Sequence, residues 1–139
     1  MAVRTTIRIT EQDYTRLRHV VDARVRHSRS ERELEMLEER LESARVVRAD
    51  GVPHDVVTMN SRVLFRDMHS GESGTVTIAY PSETDPLCGR ISVLSPVGAA
   101  LLGAAEGQEV ELPLPHGGRR RIRIENVLYQ PEAEGDFAL

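Results

Sequence analysis

Two short runs of this 139-residue chain concentrate side chains able to do chemistry: "RVRHSRS" at 24–30 and "RRRIR" at 119–123. In the first, Arg24, Arg26, His27 and Arg29 offer cationic donors, with Arg32 just beyond. Guanidinium forks match phosphate oxygens, so such a cluster can touch RNA or another phosphate. The same charges repel a divalent cation, and residues 23–30 contain no carboxylate to hold one. Asp22 and Glu31 flank the run without entering it. The plainer account of the cluster is a solvated turn. In the second run, strand alternation sets Arg119, Arg121 and Arg123 on one face and Ile122 and Ile124 on the other. That pattern suits a wet sheet face or edge. Other chemistries find no footing. His19, His27, His54, His69 and His116 have no metal-ligand spacing with each other or with Cys88. Gly71, Gly74, Gly117 and Gly118 read as turn glycines, with no phosphate-cradling motif leading into a helix.

Composition narrows the classes further. All 18 basic residues are Arg, yet the net charge is −4, which gives no global attraction to nucleic acid or an anionic membrane. Cys88 is the one cysteine, so no internal disulfide can form, which fits a reducing cytoplasm. No apolar run approaches the roughly 20 residues of a membrane span, and the N-terminus lacks a signal-peptide core. With 4% aromatics and no Trp, the core must be built compactly from Val, Leu, Ile and Ala.

These residues need elements to position them, and the composition shifts near residue 50. Residues 11–48 are rich in Arg and Glu and contain no Gly or Pro; "ADGVPH" at 49–54 supplies the first of each. We read 1–50 as one domain and 51–139 as a second. In the first, Thr10 with Asp13 makes a loose capping start, and Tyr14, Leu17 and Val21 follow at helical spacing. Ser30 with Glu33 opens a second helix, with Leu34, Leu37, Leu41 and Ala44 as its seam. Two amphipathic helices joined by a short polar turn fold back on each other, so an antiparallel helical hairpin (a short coiled coil) is expected, each arm about 20–25 Å long. A layer lying on the second domain is the alternative, since so short a hairpin is marginal in water. In the second part, alternating strands are expected at 61–67, 74–80, 90–95, 109–114 and 119–129, with "HSGES" and "PHGG" as turns. "TTIRI" at 5–9 is either a further strand or an extended lead-in. The expected class is α+β: a hairpin, then an antiparallel sheet packed on one short helix.

That helix is "SPVGAALLG", 95–103. Ser95 is a ready N-cap, Pro96 suits the first helical position, and Gly103 suits a left-handed stop. Gly98, Ala99 and Ala100 leave the helix thin, and Leu101 and Leu102 are its anchors. Such a helix either presses close to the sheet or leaves its first turn open to a partner. Chemistry alone favours close packing.

The stretch "GRISVLSPVGAALLGAAEGQEVELPLPHGG" (89–118) resembles the C-terminal domain of the bacterial Gre transcript cleavage factors. The order of hairpin, linker and sheet domain agrees over nearly the whole chain. Three phrases, "PHDVVTMNSRV", "SPVGAALLG" and "YQPEAEGD", are most similar to the branch of that family that carries the name regulator of nucleoside diphosphate kinase. The resemblance implies an FKBP-like fold for residues 53–139. It also implies binding to RNA polymerase, at the coiled coil on the rim of the secondary channel in the largest subunit. Carried over residue by residue, the polymerase contact falls on Ser95, Pro96, Val97 and Gly98, which favours an open first turn.

Gre factors place an Asp-x-x-Glu pair at the hairpin tip, where two carboxylates hold a Mg²⁺ that drives RNA hydrolysis. The corresponding residues here are Arg24, Arg26, His27 and Arg29, and the arms are shorter. The expectation is therefore a non-enzymatic, cofactor-free, monomeric regulator. It would occupy the secondary channel without stimulating cleavage and compete with Gre factors, its tip touching polymerase or nucleic acid. Two other readings stay open: direct regulation of nucleoside diphosphate kinase, and peptidyl-prolyl isomerisation. The isomerisation chemistry uses a pocket lined by aromatics, for which this domain has only Phe65, Tyr80, Tyr129 and Phe137.

Overall fold

The computed structural model describes residues 7–25, 31–113 and 118–136. Strand β1 (Arg8–Thr10) runs directly into α1 (Glu11–Val25); α2 (Glu31–Ser43) follows and leads into β2 (Arg45–Val47). β1 and β2 pair in parallel, Ile9 opposite Val46. The lead-in at 5–9 is thus in part a strand, whose partner lies beyond the second helix. Thr10 caps α1 through its Oγ1, which accepts the Asp13 N–H at 3.2 Å. The expected capping residue Ser30 lies outside the described residues.

The remainder is a five-stranded sheet of order β5-β4-β3-β7-β6. Its members are β3 (Arg62–Asp67), β4 (Ser73–Ala79), β5 (Arg90–Ser92), β6 (Glu109–Pro113) and β7 (Arg119–Tyr129). Helix α3 (Pro96–Leu101) lies between β5 and β6 in the chain. β3, β4, β6 and β7 pair antiparallel, but β5 pairs with β4 in parallel, so the sheet is mixed rather than antiparallel. The reason is the connection: residues 80–89 carry two 3-10 turns, at Pro81–Glu83 and Pro86–Cys88, and so carry the chain back to Thr77, at the head of the last three residues of β4, rather than reversing it in a tight hairpin.

One continuous buried cluster spans both halves of the chain. Leu17 and Val21 of α1 and Leu34, Leu37 and Leu41 of α2 share it with Val63, Ile78, Leu101, Leu102, Ile122 and Ile124. Leu17 and Leu37 are fully buried, and each such side chain contributes roughly 1.5–3 kcal/mol. Tyr14 and Ala44 pack at its margin. α1 contacts α2, and α2 in turn contacts α3. No helix among the described residues is long and apolar enough to cross a membrane.

Candidate functional site

α3 is six residues long and is held at every turn. The Ser95 hydroxyl accepts the Gly98 N–H at 3.1 Å and donates to the Ser92 carbonyl at 2.7 Å. The Ser92 hydroxyl in turn accepts the Leu94 N–H at 3.0 Å. The cap is therefore tied to the end of β5 as well as to its own helix. Pro96 occupies the first helical position, as its fixed φ allows. At the other end Gly103 has φ +79°, a left-handed conformation favoured by glycine.

The two candidate postures of this helix coexist along its length. A Cβ on Gly98 would stand 2.2 Å from the Ser92 carbonyl oxygen, so this residue is pressed onto backbone and is buried. Leu101 and Leu102 are fully buried anchors. Pro96, by contrast, is exposed, and Ser95 and Val97 are half-buried. Of the four residues picked out for a partner contact, Ser95, Pro96 and Val97 reach the surface. Gly98 serves by letting the helix approach the sheet.

Two side chains that sequence reasoning missed tie the helical half to the rest of the chain, and the first of them holds α3. Arg40 of α2 donates from Nε to the Ala99 carbonyl at 2.9 Å, and from Nη2 to the Ala100 carbonyl. Burial pushes its guanidinium pKa down from the ordinary value, the neighbouring Glu39 acting in the opposite sense. Asp13 of α1 accepts the Met59 N–H and the Tyr80 hydroxyl, both at 3.1 Å. Burial raises the Asp13 carboxyl from 3.8 to about 6, against the lowering effect of the Met59 N–H, while Glu132 adds a smaller upward push. The same burial, with Asp13 beside it, pushes the Tyr80 phenol up. Arg40 sits among solvent-typical Glu and Arg, so pattern alone gave no signal. Asp13 was read only as the back half of a cap.

The basic face of β7 is partly neutralised by its neighbour. Register sets Glu109 opposite Arg123 and Glu111 opposite Arg121. Glu111 meets Arg119 at 2.9 Å and Arg121 at 3.6 Å, and Glu109 meets Arg121 at 3.5 Å. The alternation in "EVEL" (109–112) was the signal for this pairing. Of the tip residues, Arg24 falls in the last turn of α1, and Arg26, His27 and Arg29 lie outside the described residues. Among the described residues no group of three His, Cys, Asp or Glu side chains could hold a metal ion. The described aromatics sit in separate contacts: the Phe65 ring covers Gly74, Tyr80 meets Asp13, and the Tyr129 hydroxyl reaches Asp136.

Comparison with known proteins gives this geometry relatives. Residues 52–129 match the family model "Transcription elongation factor, GreA/GreB, C-term". A regulator of nucleoside diphosphate kinase from Escherichia coli (strain K12) is 42% identical over 99 residues, covering 71% of this chain and 73% of that protein. A transcription elongation factor GreA from Desulfovibrio desulfuricans is 42% identical over 95 residues, 68% of this chain but only 59% of its own length. Among solved structures, a prokaryotic transcription elongation factor GreA/GreB from Nitrosomonas europaea superposes with a TM-score of 0.71 at 40% identity, covering 91% of this chain and all of that one.

Proposed function

Because the chain belongs to the GreA/GreB transcription elongation factor family, we propose that it is a non-enzymatic regulator of transcription that binds RNA polymerase at the secondary channel without stimulating transcript cleavage. In this reading residues 51–139 form an FKBP-like docking domain, and residues 1–50 a short antiparallel helical hairpin that enters the channel. The protein acts in the cytoplasm as a monomer, and any metal at work belongs to the polymerase. The observation that carries the reading is the division of α3: a buried, anchored body from Gly98 onward and an exposed, capped first turn. Ser95, Pro96 and Val97 make the contact. The cationic tip at Arg24, Arg26, His27 and Arg29 supports the non-cleaving half of the proposal, since Mg²⁺ ligation requires oxygen donors at about 2.0–2.1 Å. The test is capture of core polymerase by the immobilised protein, with a cleavage factor as competitor. Capture that the competitor abolishes supports the reading; no capture overturns it.

The similarity to a protein named as a regulator of nucleoside diphosphate kinase supports a second reading, direct action on that kinase. A kinase assay with the purified protein added separates the two. A changed rate in the absence of polymerase favours the second.

A further inference from the structure

α3 ends with carbonyls that its own backbone does not close. The Gly103 N–H, which a continuing helix would give to Ala99, goes instead to the Val57 carbonyl at 2.8 Å, and the Ala104 N–H goes to Leu101 at 3.1 Å. The Ala99 and Ala100 carbonyls are taken by Arg40, from an element 59 residues away in sequence. Arg40 lines a cleft of about 350 Å³ together with Met36 and Ser43 of α2, Ala100 of α3 and Glu111 of β6. A planar cation at a helix C-terminus is favourable to the helix, and its rigid fork fixes direction as well as distance.

Beside it stands a second attachment. The Arg8 N–H donates to the Gly103 carbonyl at 3.2 Å, and the Arg45 N–H to Ile7 at 2.7 Å. A Cβ on Gly103 would fall 2.1 Å from the Ile7 side chain. Both attachments meet the C-terminal end of α3, and the exposed turn lies at its other end. The strand attachment is backbone bonding at the base of α1 and α2. The Arg40 attachment lies in the final turn of α2 and ties the arm directly to α3, beside the core packing of Leu37 and Leu41.

We propose that Arg40 is a positioning residue that fixes the direction of the α1–α2 arm relative to the exposed first turn of α3. The clamp adds to the shared core and the Asp13 bonds a direct tie that sets the arm's direction from the docked helix itself. This rests on the reading of α3 as the docking element, but its structural half is measurable without polymerase.

Cys88, the native cysteine, is exposed on the sheet half, and Ala23 is exposed on α1. Spin labels on Cys88 and on Ala23→Cys report the distance between arm and sheet by pulsed electron resonance. With Arg40 intact the distance distribution is narrow. In Arg40→Met it broadens at least twofold at temperatures well below the melting midpoint, a change that lowered stability alone does not produce. Arg40→Lys, which keeps the charge without the planar fork, gives intermediate width and carries the measurement if the Met variant does not fold. A distribution as narrow as wild type in the folded variant overturns the proposal. In polymerase capture, Arg40→Met remains bound within about threefold of wild type while its effect on elongation is lost. If wild type itself is not captured, the docking reading fails and the label result still decides the clamp. If wild type and variant affect elongation equally, the clamp has no role in positioning.

Discussion

Asp13 is a carboxyl placed where burial disfavours its charge, with two donors that only partly offset it. Its folded pKa of about 6 lies above the ordinary 3.8, so the folded state binds this proton more tightly. The resulting stabilisation is fully present below about pH 3.8 and is lost as pH rises through about 6. The full shift corresponds to roughly 3 kcal/mol. Asp13→Asn is expected to remove that slope: the stability difference between variant and wild type, from denaturant unfolding, changes by about 2 kcal/mol between pH 4 and 7. Curves that stay parallel contradict the assignment. At α3, Ser95→Ala loses the cap to Gly98 and is expected to cost about 0.5–2 kcal/mol. Gly103→Val adds left-handed strain to a collision with Ile7 and is expected to cost more, on the order of 2–4 kcal/mol. Thermal melting checks both, and an unchanged midpoint for Gly103→Val contradicts the observed helix end.

At the scale of elements, the docking turn can be tested apart from the fold. Val97 packs at the margin of the core, so a charge there disturbs folding as well as docking. Pro96 is exposed at the first helical position, where an acidic residue is welcome. Pro96→Asp is therefore expected to leave the melting temperature within a few degrees and to weaken polymerase capture at least tenfold. Full capture by the folded variant sinks the proposed contact. The elements themselves were largely legible. Leu17, Val21, Leu37 and Leu41 recur at helical spacing and are buried, and Ser95, Pro96 and Gly103 do what their side chains dictate. What local pattern missed was long-range. The parallel pairing of β5 depends on where two 3-10 turns deliver the chain. The pairing of β1 with β2 depends on the return of α2. Arg40 and Asp13 are ordinary surface types in sequence and acquire their partners only through packing.

At the scale of the whole molecule, the shared core joins helices and sheet, so in the proposed function the reach into the channel is set by the length of the arm. On backtracked transcripts the wild-type protein is expected not to stimulate cleavage. Changing Arg26 to Asp and Arg29 to Glu restores the carboxylate spacing without lengthening the arm. The double variant is expected to remain inactive while still displacing a cleavage factor, because a pair held several ångströms from the metal contributes almost nothing. Cleavage by the double variant would show that charge alone was the obstacle. Cleavage by the unmodified protein would overturn the non-catalytic reading.

The parallel pair of β1 and β2 has a consequence for how such a chain can change over time. The chain enters α1 from Thr10 and returns from α2 at Arg45, on strands hydrogen-bonded to each other and so about 4.8 Å apart, and both helices are packed on the core as far as Val21 and from Leu34. The link from Val21 to Leu34 is thus a detour that begins and ends on a fixed doorway. Seven residues added to each helix extend the detour by about 10.5 Å and leave the doorway where it was. Arm length is thus a trait that insertion or deletion can tune with little disturbance to the sheet half. A lineage built on this frame can exchange a long probe for a short one while keeping its mount.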